Sequence, residues 1–177
     1  MKKLTVIALM VFLFTAGYSQ VKEQKSYGKI PSVSVKTPTG ETFNTADISN
    51  DGNPVIISFW ATWCKPCIKE LTTIADVYDE WIEDTGVKLI AVSIDDARAS
   101  SKVMPLVNGK AWDYEVLLDA NGDFKRAMNV NLIPHTFVID GNGEIVWQHT
   151  SFSEGAELDL IEVVTKVKEG KDISGHE

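Results

Sequence analysis

The sequence predicts an α/β sandwich in which a single β-sheet lies between layers of helices. Two apolar segments, 55–60 and 87–94, lack polar alternation, which is typical of strands buried on both faces of a parallel sheet. A helical pattern lies between them and completes a β-α-β unit. A predicted hairpin and a closing helix occupy 136–168, and this order of elements favours one sheet covered on both faces.

The elements around the first apolar strand follow from turn signals and from periodicity. A turn at 37–40 separates two short strands within 31–43, and a second turn at 50–53 precedes the strand. The helix after the strand is predicted to end at Gly86, and acidic residues, Glu70 among them, fall mostly outside its apolar face. That face is predicted from residues at helical spacing, which are Ile68, Leu71, Ala75, Tyr78 and Ile82.

The second half of the chain continues the alternation of helices and strands. Asn121-Gly122 marks one turn, and the glycines of 141–143 mark the turn of the hairpin. The predicted elements are, in order, a helix, a strand, a short helix, two hairpin strands and the closing helix, at 97–108, 114–118, 124–128, 136–139, 144–149 and 157–168.

Residues 1–19 are predicted to form a secretory signal peptide. Lys2 and Lys3 give a positive start, 4–14 is an apolar core, and small residues precede a cleavage position before Gln20. The apolar core is shorter than the ~20 residues needed to cross a bilayer, so we expect cleavage and export. The alternative is an N-terminal helix that stays buried or anchors the chain to a membrane.

We expect one domain at 29–170, with a flexible lead-in at 20–28 and a frayed tail at 171–177. The chain has 177 residues and a net charge of −8, and loss of 1–19 changes that charge to −10. Such an acidic protein is a poor partner for nucleic acid or for an anionic membrane surface. The charge therefore favours a soluble mature protein, or a partner with a basic docking face, and no cofactor is expected.

Both cysteines of the chain lie in 63–67, WCKPC, where the first apolar strand passes into a helix. A helix N-terminus favours the thiolate, which is the nucleophile of thiol–disulfide exchange. A zinc site would need two further ligands, and only His135, His149 and His176 remain. A structural staple across so short a loop would remove little chain entropy. The spacing therefore predicts a redox-active pair.

Two segments, 59–67 (FWATWCKPC) and 133–140 (IPHTFVID), together resemble the thioredoxin superfamily. The signal peptide, the leading hairpin and the extra segment between 87 and 119 resemble its exported TlpA/ResA-type branch, and the likeness covers roughly 30–168. The resemblance implies a thioredoxin-like three-layer sandwich with an N-terminal β-hairpin and a central βα insertion.

The resemblance also implies roles for individual residues. Cys64 is expected to be the exposed attacking thiol and Cys67 the buried resolving thiol. A cis peptide bond is expected between Ile133 and Pro134, beside the thiols. The backbone there would bind a client as an added strand, with Trp63 shaping the same surface.

Three positions depart from the pattern of cytoplasmic thioredoxins, and the first two concern proton transfer. Ser58 stands where those proteins have a buried aspartate that assists the second cysteine, and serine is a poor general base. Asp95 and Asp96 follow the next parallel strand, so they lie at the same edge of the sheet as Cys64. The ResA-type branch has an active-site acid in this segment, and counting along the sequence favours Asp96. The alternative is that both acids cap the helix that follows.

The third departure is His135, which replaces the threonine that commonly follows the cis-proline. An imidazole near a thiolate could stabilise it or influence the choice of partner. The alternative is a strand residue that faces away from the thiols.

The predicted function is that of a thiol–disulfide oxidoreductase of the periplasm or cell envelope. Lys65-Pro66 resembles the Gly-Pro of reductants more than the Pro-His of strong oxidants, so a reductant is favoured. Such a protein would take electrons from a membrane donor and reduce client disulfides, for example in cytochrome c maturation. The alternatives are a peroxiredoxin-like peroxidase and a non-catalytic module that binds peptide or copper.

Overall fold

The computed structural model describes residues 26–176, which form a seven-stranded mixed sheet with helices on both faces. The strands are β1 (Ser34–Lys36), β2 (Thr42–Asn44), β3 (Val55–Trp60), β4 (Lys88–Ser93), β5 (Glu115–Leu118), β6 (His135–Ile139) and β7 (Ile145–Thr150). The helices are α1 (Lys65–Ala75), α2 (Tyr78–Thr85), α3 (Val103–Gly109), α4 (Asp123–Ala127) and α5 (Ala156–Lys168). Short 3-10 turns lie at Thr45–Asp47 and Ser100–Lys102.

The sheet has the strand order β2-β1-β5-β4-β3-β6-β7. Its centre is parallel, because β4 runs parallel to both β3 and β5. The two hairpins pair antiparallel at the flanks, β6-β7 beside β3 and β1-β2 beside β5. The predicted α/β sandwich with a leading hairpin is confirmed, and the segment between 87 and 119 that was expected to carry the extra elements contains β4, α3 and β5.

Alternating side chains of β3 divide the core between the two faces of the sheet. Ile56 and Trp60 pack with residues of α1, α2, α3 and α5 on one face. Ile57 and Phe59 pack on the other face, where Phe124 of α4 contacts Phe59 with ring centroids 5.1 Å apart. Both cysteines belong to the first of these clusters, so the reactive pair lies on the face that α1 covers.

The helix predicted to run from Ile68 to Gly86 is divided into α1 and α2. Val77, at φ −127° and ψ 3°, leaves the helical conformation and precedes α2. The break rotates the second half, so that Trp81 is buried while Ile82 is 43% exposed. The prediction of Ile82 as a core residue was therefore wrong.

The two ends of the described chain are more ordered than expected. At the N-terminal end, Tyr27 N–H donates to the Ile145 carbonyl, and Ile145 N–H donates to the Gly28 carbonyl, both at 2.8 Å. At the C-terminal end, Ile173 is buried in the core, and the His176 carbonyl accepts a hydrogen bond from the Trp147 indole. The segments thought to be mobile are thus docked where they are described.

The signal peptide predicted at 1–19 and most of the lead-in lie outside the described residues. Between residues 26 and 176, none of the helices has the length and apolar character needed to span a bilayer.

Candidate active site

Cys64 and Cys67 form a disulfide where β3 passes into α1. Cys64 is the N-cap residue of the helix, and its sulfur accepts a hydrogen bond from Cys67 N–H at 3.3 Å. Pro66 lies in the first turn, where its missing N–H leaves no intrahelical bond unmade. The sulfur that would become the nucleophile on reduction is therefore already a hydrogen-bond acceptor at the positive end of the helix.

A tight turn positions Cys64 at the start of α1. Cys64 N–H donates to the Ala61 carbonyl at 3.0 Å, which places Thr62 and Trp63 at the centre of the turn. The turn leaves the Trp63 side chain outside, 66% exposed. An exposed indole beside a disulfide offers an apolar contact to a protein client.

The two cysteines differ in burial in the expected order, although by a small amount. Cys64 is 5% exposed and Cys67 is fully buried. Cys64 is therefore less open in the disulfide form than the expected exposed thiol, because the turn and the cis-proline loop close around it. Of the two cysteines, Cys64 is the one that keeps some exposed surface.

The loop before β6 forms the opposite wall of the site. The Ile133–Pro134 peptide bond is cis, as the resemblance implied, and the Ile133 carbonyl oxygen lies 3.9 Å from Cys64 Sγ. Leu132 is 66% exposed on the outer side of this loop. Within residues 26–176, the backbone N–H and C=O of Ile133 make no hydrogen bond to other backbone groups, so they are open to an extended chain.

A buried carboxylate lies one helical turn beyond the disulfide. Glu70 is 6% exposed and accepts hydrogen bonds from the Thr136 hydroxyl at 3.0 Å and from the Ser58 hydroxyl at 3.3 Å. Burial raises the pKa of Glu70 from 4.5 to about 7, against the two hydroxyl hydrogen bonds, which lower it. Cys67 and Glu70 are three residues apart on the buried face of α1, so they are neighbours on that face.

The sequence interpretation missed Glu70 and placed the missing acid elsewhere. The helical pattern was anchored on Ile68, which put Glu70 among the solvent-facing acids. The buried residues of α1 are in fact Cys67, Glu70, Leu71 and Ile74. Anchoring the pattern on Cys67, which the resemblance implied to be buried, would have placed Glu70 inside.

Asp96 has the geometry of a cap and not that of a buried acid. It is exposed, and its Oδ1 accepts from Arg98 N–H at 2.9 Å and from Ala99 N–H at 3.0 Å. None of its described contacts joins it to the cysteines. The structure therefore favours the capping alternative for Asp96.

Asp95 behaves differently from its neighbour. It is 1% exposed, and its carboxylate accepts hydrogen bonds from Thr62 and from Ser93. It is therefore tied to the turn that precedes Cys64.

The His135 side chain faces away from the thiols, which is the alternative that the sequence left open for it. Its side chain stacks on Phe137, with ring centroids 4.2 Å apart, and Phe137 belongs to the cluster on the opposite face of the sheet. The imidazole Nε2 lies 3.0 Å from Gln148 Oε1, and burial lowers the pKa of His135. Strand alternation from Pro134 thus separates this imidazole from the disulfide.

The described residues contain one group with the donor types of a metal site, and it does not include the cysteines. Asp159, Glu162 and His176 have donor atoms within 4.8 Å of one another. Lys166 Nζ lies 2.8 Å from both His176 Nε2 and Glu162 Oε1, so an ammonium already occupies the position of a cation. No histidine of residues 26–176 is grouped with Cys64 and Cys67 as a metal ligand, which disfavours the zinc interpretation.

The site is a disulfide at the N-terminus of a helix, where reduction would give a stabilised thiolate, and it lies on a mixed sheet with the strand order described above. These features define a thiol–disulfide oxidoreductase of the thioredoxin-like class. The chain belongs to the AhpC/TSA family, whose model matches residues 28–148. This family, together with the relatives described next, confirms the expected enzyme class and fold.

Individual relatives agree with that class. Sporulation thiol-disulfide oxidoreductase A of Bacillus subtilis is 30% identical over 149 residues, which are 81% of this chain and 87% of that protein. Thiol-disulfide oxidoreductase ResA of Bacillus anthracis is 30% identical over 138 residues, which are 77% of each protein. The solution structure of an uncharacterized thioredoxin-like protein from Porphyromonas gingivalis is 51% identical, with a TM-score of 0.73, and covers 86% of this chain and 100% of that one. The resemblance to the ResA-type branch is confirmed.

Proposed function

We propose that this protein is an exported reductant of client disulfides that works through the Cys64–Cys67 pair. Two features of the site together carry the proposal. The Cys64 sulfur caps α1 by accepting a hydrogen bond from Cys67 N–H, and the buried carboxylate of Glu70 lies one turn beyond Cys67. The first group favours a thiolate nucleophile, and the second provides a proton acceptor for the other thiol.

The cycle begins with the reduced protein. The Cys64 thiolate attacks one sulfur of a client disulfide, a mixed disulfide forms, and the first client thiolate leaves. Cys67 then loses its proton and attacks Cys64 Sγ, which releases the second client thiolate and forms the intramolecular disulfide. Two electrons have then passed from the protein to the client, and a dithiol donor must reduce the pair again.

Glu70 is the proton acceptor for Cys67 in this proposal. A carboxylate whose pKa is about 7 is half ionised near neutral pH, so it can take a proton from a thiol and later return it. The carboxylate comes from α1 and not from β3, where Ser58 stands. Ser58 and Thr136 orient it by donating to its two oxygens.

The client is proposed to bind as an extended segment across the cis-proline loop. The open backbone groups of Ile133 can pair with a client strand, while Trp63 and Leu132 contact its side chains on either side of the disulfide. Cytochrome c maturation and a membrane electron donor are proposed on the likeness to the ResA-type branch. Export through cleavage before Gln20 is proposed on the sequence of residues 1–19.

Trapping of the mixed disulfide tests the order of attack. In Cys67→Ala, Cys64 can attack but nothing resolves the product, so Cys64-linked complexes with a peptide disulfide should accumulate. The matched control is Cys64→Ala, which should trap almost none. Trapping through Cys67, or full activity in both variants, would show that the assigned mechanism is wrong.

Equilibration with glutathione tests the direction of electron flow. A reduction potential of about −250 mV or lower supports a reductant, and a value near −120 mV makes the protein an oxidant. Consumption of peroxide at a rate that exceeds disulfide reduction would favour the peroxidase alternative. Stoichiometric Cu(I) binding without turnover would favour the copper-binding one.

Intact-mass analysis of cell-envelope fractions tests export. A mature chain that starts near Gln20 supports it, and recovery of the full-length chain from membranes would show that the N-terminal segment is an anchor.

A further inference from the structure

A second buried carboxylate, Asp95, follows β4 and is hydrogen-bonded to the turn that precedes Cys64. Asp95 Oδ2 accepts hydrogen bonds from Thr62 N–H and from the Ser93 hydroxyl, both at 2.8 Å. Asp95 Oδ1 accepts from the Thr62 hydroxyl at 2.7 Å. Because a buried carboxylate is costly unless it is well hydrogen-bonded, three short contacts at one site indicate a fixed arrangement.

Two of these three contacts go to Thr62, and Thr62 lies in the turn that delivers Cys64. The turn closes from Cys64 N–H to the Ala61 carbonyl, so Thr62 and Trp63 are its central residues. Asp95 is itself held, because its own N–H donates to the Ser93 hydroxyl at 3.1 Å. We call Thr62, Ser93 and Asp95 the turn clamp.

The turn clamp matters most in the reduced protein. In the disulfide form, the bond to Cys67 ties Cys64 to α1. Reduction breaks that bond. Cys64 then keeps its helix contacts, which are Ile68 N–H to its carbonyl at 3.0 Å and Cys67 N–H to its sulfur at 3.3 Å, while the turn before it is held by its own backbone hydrogen bond and by the clamp. The attacking form of the protein has one restraint fewer at this point, so it depends more on Asp95 than the disulfide form does.

We propose that Asp95 is a positioning residue for client reduction. It holds the turn so that Cys64 Sγ and the Trp63 ring keep one orientation toward the cis-proline loop when the disulfide is open. The inference rests on the proposed attack by Cys64, and it assigns Asp95 no proton transfer and no contact with the client.

The chemistry of the three donors suggests a conservative replacement. The amide oxygen of an asparagine at position 95 can accept from Thr62 N–H and from the Ser93 hydroxyl. Its NH₂ group can donate to the Thr62 hydroxyl, because a hydroxyl both donates and accepts. Asp95→Asn thus keeps the clamp and removes its charge, whereas Asp95→Ala removes all three hydrogen bonds.

Asp119 provides a matched control. It is also a buried aspartate directly after a parallel strand, and it accepts from Phe124 N–H at 3.2 Å and from Lys125 N–H at 2.8 Å. Its carboxylate has no described contact with the turn that contains Thr62. Asp119→Ala therefore removes a buried aspartate at the same edge of the sheet without opening the clamp.

The test compares two substrates of the reduced, folded variants. One is a peptide disulfide, which must align with Trp63 and Ile133, and the other is 5,5′-dithiobis(2-nitrobenzoate), which needs only an accessible thiolate. In Asp95→Ala, the rate constant should fall about tenfold or more with the peptide and by less than about threefold with the small disulfide. Asp95→Asn and Asp119→Ala should stay within about threefold of wild type on both substrates.

Thr62→Val provides the second variant in case Asp95→Ala does not fold. It removes the hydroxyl contact but keeps the backbone N–H contact, so it should show a smaller loss with the same peptide selectivity, and Thr62→Ser should restore the rate. Peptide rates within about twofold of wild type in every clamp variant would overturn the proposal. Equal losses on both substrates, or an Asp119→Ala variant as slow as Asp95→Ala, would overturn it too. Failure of the proposed function is recognised separately, because the wild type would then reduce no peptide disulfide.

Discussion

Two buried carboxylates lie on segments next to the two cysteines, Glu70 on the helix after Cys67 and Asp95 against the turn before Cys64, and they have different surroundings. Glu70 lies on α1 among apolar side chains, accepts from two hydroxyls, and has a pKa raised by burial to about 7. Asp95 follows β4 and accepts from a backbone N–H and two hydroxyls of neighbouring loop and strand. Glu70 can exchange a proton near neutral pH, whereas Asp95 is used to fix the backbone that carries Cys64. The comparison teaches that burial alone does not assign a role to an acid. Burial sets the pKa of Glu70, whereas the positions of its donors make Asp95 a link between β4 and the turn before Cys64.

The largest effect on stability is expected at Glu70. The pKa of Glu70 is about 7 in the folded protein and 4.5 for an ordinary glutamate. Between pH 4.5 and pH 7 the folded protein therefore keeps a proton on Glu70 that the unfolded chain has released. The wild-type free energy of unfolding should therefore fall as the pH rises from about 4.5 to 7, by about 3 kcal/mol in total. Glu70→Gln cannot ionise, and in the oxidised form it should be more stable than wild type by a similar amount near pH 8.

Denaturant titrations of oxidised wild type and Glu70→Gln at several pH values would measure this difference. The two proteins should have nearly equal stability near pH 4. A difference that does not change with pH would contradict the assigned pKa.

A smaller effect of opposite sign is expected at Asp95. Asp95→Ala leaves the Thr62 N–H and two hydroxyls without their acceptor, which should destabilise the protein by about 2 kcal/mol. Asp95→Asn should recover most of that loss, because an amide can satisfy the same three groups. Thermal unfolding of the two variants beside wild type would measure the recovery, and an Asn variant as unstable as the Ala variant would show that the charge itself is required.

The smallest effect is expected at Asp96, which the sequence favoured as the proton acceptor. As a cap of the segment that begins at Ala97, Asp96→Ala should cost about 1 kcal/mol, and Asp96→Asn should cost almost nothing. Neither change should alter the rate at which the mixed disulfide resolves. Rapid-quench measurement of that rate provides the check, and a slowed resolution in Asp96→Asn would return Asp96 to the mechanism.

The fold could be predicted because its central strands are continuous apolar runs. The segments 55–60 and 87–94 required burial on both faces, and the structure has β3 and β4 there. The break between α1 and α2 could not be foreseen, since it depends on packing that buries Trp81 and no proline or glycine marks it.

The cysteine pair was visible in the sequence, but the acids around it were not. Ser58 correctly indicated that the strand carries no carboxylate, yet a one-residue error in the helical pattern hid Glu70, which reaches Ser58 from α1. The role of Asp95 depends on Thr62, which is 33 residues away in the chain, and no local pattern links the two. For His135 the sequence left open which face of the sheet its side chain occupies, and the structure places it on the face opposite the disulfide.

The pH dependence of the resolution step tests the division of labour between the two carboxylates most directly. Single-turnover reactions at saturating peptide disulfide measure the rate at which Cys67 displaces the second peptide thiol. The wild-type rate should rise with an inflection near pH 7, as Glu70 becomes able to accept a proton, and Asp95→Asn should keep that inflection. In Glu70→Gln the inflection should vanish, and the rate should rise only near the ordinary cysteine pKa of about 8.5. An unchanged profile in Glu70→Gln, or loss of the inflection in Asp95→Asn, would contradict the account.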